Sequence, residues 1–235
     1  MPATFYLITG GCRSGKSSYA QKLCETLSPN PIYLATSSAN GSYGDADMAD
    51  RIKRHQNDRG EKWTTIEEPL RPCKHLEKMK SRVVLLDCLT LWLTNHMLEQ
   101  KAFSLEGEEV ESKQRVEAAE KASAAIKEEL EKMSSQWNTT FVFVTNEIGS
   151  GTHASDAFSR TFVDHQGWIN QCVAEKACRV IQMVSGCPSI IKKVEDTRGS
   201  NGGTMTASDR EDAWRVDKFL SSRPLKMDAK GYFMT

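Results

Sequence analysis

Short apolar runs rich in β-branched and aromatic residues recur along the chain, separated by stretches whose apolar positions step by three and four. The runs are TFYLIT (4–9), IYLATS (32–37), WTTIEE (63–68), RVVLLDC (82–88), TTFVFVTNE (139–147) and RVIQMVSG (179–186). Each has the length of a strand, and the last is read as the final one. Strands alternating with helical patterns predict an α/β fold, a mostly parallel sheet covered by helices on both faces. The first helix runs to about Thr26. A second helical pattern, DMADRIKRHQNDRG (47–60), places Met48 and Ile52 one turn apart and Asp47, Arg51 and His55 on a polar stripe. The longest spans about Glu108 to Trp137, with a narrow seam of Val116, Ala119, Ser123, Ile126, Leu130, Met133 and Trp137. Covering its own sheet is the ordinary use of such a seam; a subunit contact is the alternative.

After Pro188 the pattern changes. EDTRGSNGGTMTASDRED (195–212) is polar and rich in Gly, Ser and Thr, the composition of a linker. Ser208 with Glu211 forms a capping-box pattern, and a short helix at 209–221 would present Ala213, Val216 and Leu220. The expected organisation is therefore a catalytic domain over 1–190 and a polar linker and tail over 191–235.

Composition narrows the functional classes. The 31 basic and 31 acidic side chains cancel, so no global field attracts nucleic acid or an anionic membrane. No apolar run approaches the roughly 18 residues that a membrane helix needs. The opening MPATFYLITGG lacks a basic region followed by a long apolar one, so no signal peptide is expected. Seven cysteines without a C-x-x-C pair suggest reduced thiols rather than zinc, as in a cytoplasmic protein.

The strongest chemical signal is GGCRSGKS, Gly10 to Ser17, which satisfies G-x-x-x-x-G-K-[ST] between an apolar strand and a helix. Gly10, Gly11 and Gly15 let the backbone turn its N–H groups inward, joined by those of Cys12, Arg13 and Ser14. A helix N-terminus adds partial positive charge. Lys16 would reach the β- and γ-phosphates, and Ser17 would offer a hydroxyl to Mg²⁺. The motif predicts binding of a nucleoside triphosphate. VVLLD, ending at Asp87, supplies the matching carboxylate for the metal. Since ligands lie beyond the carboxyl ends of parallel strands, Thr36, Ser37, Asn146 and Glu147 are aimed at one crevice.

In that setting His55 has three chemical uses: a ligand-steering cation, a general base, or a nucleophile at phosphorus. The third needs neutral imidazole, which Arg51 and Arg54 would favour by repelling its proton. A solvated helix face is the structural alternative.

Taken in order and spacing, TGGCRSGKSSYA, YLATS, DADMADRIKRHQNDRGEKWTTIEEP, LLDCLTLWLTN, FVTNEIGSG and GWINQ resemble the bifunctional adenosylcobinamide kinase / adenosylcobinamide-phosphate guanylyltransferase family. The resemblance covers about residues 4–188. It implies a RecA-like P-loop fold, propeller-shaped homotrimers, and two reactions with ATP and GTP as substrates. Adenosylcobinamide is first phosphorylated on its aminopropanol hydroxyl; GMP then passes from GTP to that phosphate. The histidine of the family's R-I-x-x-H segment carries GMP covalently and maps onto His55. By the same resemblance Gly10 to Ser17 bind triphosphate, and Thr36, Ser37, Arg59, Glu67 and Asp87 lie near nucleotide or metal. Where some members have two adjacent histidines, this sequence has Arg54 and His55, and some members carry glutamate in place of Asp87. The tail beyond about residue 190 departs from the shorter bacterial enzymes. Two other readings remain: a small-molecule P-loop kinase without nucleotidyl transfer, and a nucleotide-dependent switch.

Overall fold

The computed structural model describes residues 2–37, 62–104, 110–151, 153–194 and 218. Within them the strands are β1 (Thr4–Gly10), β2 (Ile32–Ala35), β3 (Thr64–Glu67), β4 (Val83–Asp87), β5 (Thr140–Val144), β6 (Arg179–Val184) and β7 (Cys187–Lys193). The helices are α1 (Lys16–Leu27), the short α2 (Leu76–Met79), α3 (Leu89–Glu99), α4 (Ser112–Ser134) and α5 (Ala157–Lys176). Strand order is β3-β2-β4-β5-β1-β6-β7, parallel throughout except for the antiparallel β6–β7 pair. The parallel α/β sheet expected from the alternating pattern is the one found. The interior strand β1 sits between β5 and β6, and β5 separates β1 from β4.

Period-two alternation along the strands divides the core into two layers. Phe5, Leu7, Val84, Leu86, Phe141 and Phe143 face one side, packed with Trp92, Ile126, Leu130 and Ile169 from α3, α4 and α5. Tyr6, Ile8, Leu85, Val142 and Val144 face the other, packed with Tyr19, Ala20 and Leu23 from α1. Helices thus cover both faces, so the strands read as near-continuous apolar runs.

The long helix is shorter than its seam suggested. Ala119, Ser123, Ile126, Leu130 and Met133 are buried in the core beneath it, so it covers its own sheet. Val116 is 43% exposed, and Trp137, 67% exposed, lies past the helix end. Asn138 follows at a positive φ of 53°, a backbone state incompatible with helix continuation.

RVIQMVSG is not the final strand: β7 follows it as an edge partner. The connection is Ser185-Gly186, with φ of 49° and 82°, the doubly left-handed pair of a two-residue hairpin. Pro188 does not end the sheet, because an edge strand tolerates the missing donor. The segments 47–60, 195–212 and 209–221 lie outside the described residues, Lys218 excepted.

Two buried histidines make the fold sensitive to acid. His165 sits between α4 and α5, with Nδ1 2.6 Å from the Ser123 hydroxyl and its ring against Trp168. Burial holds its protonation below the ordinary value of 6.5, against the pull of Glu120 and Asp164. His96 donates from Nε2 to the Leu70 carbonyl at 2.9 Å, and burial lowers its value too. Glu99 at 3.8 Å from Nδ1 opposes that shift without reversing it. Both groups resist protonation when folded, whereas the unfolded chain accepts the proton at the ordinary value. Stability from them is therefore fully present above 6.5 and is lost as pH falls toward the depressed folded values. Denaturant titrations between about pH 7 and about pH 5 should show falling stability. His165→Gln combined with His96→Gln should flatten that slope.

Candidate active site

Strand β1 ends at Gly10 and α1 begins at Lys16, so the glycine-rich turn lies at the carboxyl end of an interior strand of the sheet. Gly10 has φ of 147°, and a Cβ there would come within 2.4 Å of the Met183 carbonyl oxygen. Only glycine allows β1 and β6 to run this close at the start of the cradle. Arg13 (φ 58°) and Gly15 (φ 91°) are both left-handed, which curls the intervening backbone into an N–H-lined nest. The Ser14 carbonyl accepts from Gly186 N at 3.0 Å, so the β6–β7 turn braces the loop. Gly11 is exposed, and an added Cβ would touch no protein atom. Packing does not demand glycine there, and its bare backbone leaves the approach of a phosphate open. Cys12 and Arg13 are exposed, while Ser14 is buried with its hydroxyl unpartnered.

No side chain caps α1, and its first turn contains no acid. Its leading N–H groups and partial positive charge therefore face the nest, an anion site by construction. Gly10→Ala should cost about 2 kcal/mol through clash and strain, lowering the melting temperature by roughly 4–8 °C. Nucleotide binding should be lost with it, which differential scanning fluorimetry with and without GTP would measure.

Lys16 is 7% exposed and donates from Nζ to the Gly11 carbonyl at 2.6 Å, folded back over the loop. Desolvation lowers its affinity for the proton, countered by Cys88, Asp87 and Cys12. Burial, reinforced by the Asp87 carboxylate, pushes the Cys88 thiol up to about 12. Cys88 is then uncharged at neutral pH, and Asp87 is the counter-charge that matters. Asp87 ends β4 and accepts from the Tyr33 hydroxyl at 3.2 Å through Oδ2. Ser17 lies in the first turn of α1, partly exposed.

The other expected site residues divide. Thr36 is fully buried, and its hydroxyl both donates to Cys88 O (2.9 Å) and accepts from Cys88 N (3.0 Å). It thus ties the end of β2 to the turn after Asp87, a bracing contact rather than one that faces outward. Ser37 follows it, partly exposed. Glu67 ends β3 beside Ala35, one strand further from the cradle, and is exposed. His55 and Arg59 lie outside the described residues.

Three residues not singled out from the sequence complete the rim. Asn95 on α3 donates to the carbonyls of Thr36 (2.7 Å) and Pro69 (3.0 Å), joining the β2 and β3 exits. Thr90 receives Asn146 N and Nδ2 at 3.3 and 3.2 Å, and Asn170 Nδ2 reaches Asn146 O at 3.2 Å. These contacts join segments distant in sequence, so no local spacing announces them. Glu147 N donates to Gly10 O at 3.1 Å, which brings the predicted Asn146-Glu147 pair to the cradle.

A loop that presents N–H groups, a lysine and a hydroxyl beside a strand-end carboxylate suits phosphates of a nucleoside triphosphate. The family model for cobinamide kinase / cobinamide phosphate guanyltransferase matches residues 6–191. The chain belongs to that family. Among its relatives is the bifunctional adenosylcobalamin biosynthesis protein CobP of Pseudomonas aeruginosa, 36% identical over 79% of this chain and 96% of that one. The bifunctional adenosylcobalamin biosynthesis proteins CobU of Escherichia coli K12 and Salmonella typhimurium are 35% and 33% identical. Each match covers 79% of this chain and 98% of the relative. The cobinamide kinase / guanyltransferase match contains all the expected site residues from Gly10 to Asp87, His55 and Arg59 included.

Proposed function

We propose that this protein phosphorylates adenosylcobinamide with ATP or GTP and then transfers GMP from GTP to the new phosphate, yielding adenosylcobinamide-GDP. Membership of the family supports both reactions. The observation that carries the nucleotide half is the cradle itself, with Lys16 Nζ 2.6 Å from the Gly11 carbonyl and Asp87 in electrostatic range.

In the first reaction the corrinoid hydroxyl oxygen bonds to the γ-phosphorus as the bond to the leaving diphosphate breaks. Lys16 and the nest N–H groups stabilise charge on the β- and γ-oxygens. Glu67 or Glu147 would orient the incoming hydroxyl. In the second, the neutral His55 imidazole attacks the α-phosphorus of GTP and pyrophosphate leaves. A corrinoid phosphate oxygen then attacks the same phosphorus, the P–N bond breaks, and His55 is regenerated. Splitting the displacement lets one triphosphate site serve two acceptors in turn. Arg59 and Ser37 would contact the nucleotide.

The donor set fits Mg²⁺, which favours hard oxygens and keeps waters and substrate phosphates as ligands. Ser17 and Asp87 would hold it, and when bound it would neutralise developing phosphate charge. Among the described residues no group of three or more His, Cys, Asp and Glu could form a closed metal cage.

A homotrimer in the cytoplasm completes the proposal. No described helix is long and apolar enough to cross a membrane. Val184, Ile190, Ile191 and Val194, all at least 45% exposed on or beside the β6–β7 hairpin, offer apolar surface that a subunit contact would cover. The catalytic domain, expected from the sequence to end near residue 190, is proposed to run to the end of β7 at Lys193, with the linker and tail after it.

Mass spectrometry of adenosylcobinamide incubated with the protein, Mg²⁺ and GTP tests the whole reading. Sequential appearance of the phosphate and then the GDP ester is expected. A phosphate ester that never advances would favour the plain kinase, and no corrinoid product would overturn both reactions.

A further inference from the structure

Beneath the segment that leaves β5 lies a buried polar cluster. Thr145 follows β5, Gln166 and Asn170 stand one turn apart on α5, and all three are buried, at 0%, 0% and 8% exposure. The Thr145 hydroxyl donates to Asn170 Oδ1 at 2.6 Å and accepts from Gln166 Nε2 at 3.0 Å. Gln166 Nε2 also lies 2.8 Å from Asn170 Oδ1. Two donors converging on one oxygen fix the orientation of the Asn170 amide. Its Nδ2 then points the other way and donates to Asn146 O at 3.2 Å.

That bond is where the cluster meets the site. Strand β5 lies between the cradle strand β1 and the Asp87 strand β4. The residues leaving β5 therefore fall between phosphate loop and carboxylate. Thr145 N is bonded to Ile8 O (3.0 Å) and Glu147 N to Gly10 O (3.1 Å), while Asn146 is bonded to Thr90 on α3. The segment is tied to the cradle on one flank, to α3 on another, and from beneath by Asn170.

Burying three polar side chains in one place is costly unless every group is matched, and the Gln166 Oε1 atom has no partner. Apolar side chains of similar volume would fill the space at lower cost. What they could not do is fix the direction of the Asn146 carbonyl.

We propose that Asn170, oriented by Thr145 and Gln166, is a positioning residue for phosphoryl transfer. It acts through Asn146 and Glu147, whose placement beside the cradle it sets. The proposal rests on the kinase reading of the same site.

Asn170→Leu removes the bond to Asn146 while keeping an apolar filling. At a temperature where the variant is folded by circular dichroism, kcat for adenosylcobinamide phosphorylation should fall roughly 10–100-fold, since small misplacements near a reacting centre have effects of that size. Affinity for a fluorescent GTP analogue should stay within about threefold, because the nest and Lys16 are untouched. Gln166→Met, which keeps the volume, loosens Asn170 without removing it. It should lower kcat by a smaller factor, again at constant affinity, and decides the matter if Asn170→Leu does not fold. Basal GTP hydrolysis without corrinoid is measured in parallel. If wild type hydrolyses GTP but never phosphorylates corrinoid, the kinase reading fails, and the same kcat loss in hydrolysis is the result expected of Asn170. Wild-type kcat in the folded variants, or joint loss of kcat and GTP affinity in proportion to stability, would overturn the positioning role.

Discussion

Lys16→Ala should lower kcat/KM for adenosylcobinamide phosphorylation by at least ~100-fold, the scale seen when one preorganised charge-stabilising donor is removed. The ammonium is nearly buried and already held over the loop by the Gly11 carbonyl, so little side-chain freedom is left to lose when triphosphate enters. Desolvation lowers its proton affinity, so the protein holds this charge against a cost that phosphate oxygens would offset. Removing it should leave the fold intact, because the bond to Gly11 is local and α1 keeps its apolar face through Tyr19, Ala20 and Leu23. The loss should therefore appear in steady-state kinetics and GTP affinity, not in the melting temperature of the apoprotein. Lys16→Arg should fail to restore activity, since a planar fork cannot replace a compact ammonium in this confined turn. Both reactions should fall together, because the proposed mechanism runs each through the same cradle.

His55→Ala should separate them. Formation of the GDP ester should drop by at least ~1000-fold, because no other group takes over the covalent step. Phosphorylation should continue, and the phosphate ester should accumulate when products are resolved by chromatography. Equal loss of both activities would assign His55 to nucleotide binding in general.

Much of the architecture was legible because burial on both faces leaves strands as apolar runs. VVLL, FVFV and FYLI are of this kind, and each lies in the sheet where its pattern predicts. The cradle was legible for a different reason: its chemistry is local, packed into eight consecutive residues, and Gly10, Arg13 and Gly15 adopt the backbone states that the motif demands. What the sequence hid was long-range or overread. The Ser185-Gly186 turn is a hairpin signal, yet Pro188 made the following run look like the end of order. Trp137 extended an apolar seam past Ser134, where the helix ends. The partners of the Thr36 hydroxyl, 52 residues away at Cys88, are visible only in three dimensions. Asn170 and Gln166 gave no spacing signal toward Asn146 for the same reason. His55 rests on motif and chemistry alone.

The proposed mechanism joins one triphosphate cradle to a covalent histidine. Incubating the protein with Mg²⁺ and GTP labelled at the α-phosphorus, then denaturing it, tests that most directly. Label retained on the chain, stable to base, labile to acid and absent from His55→Ala, is the predicted result. An unlabelled wild-type chain that still phosphorylates adenosylcobinamide would contradict it and leave a kinase alone.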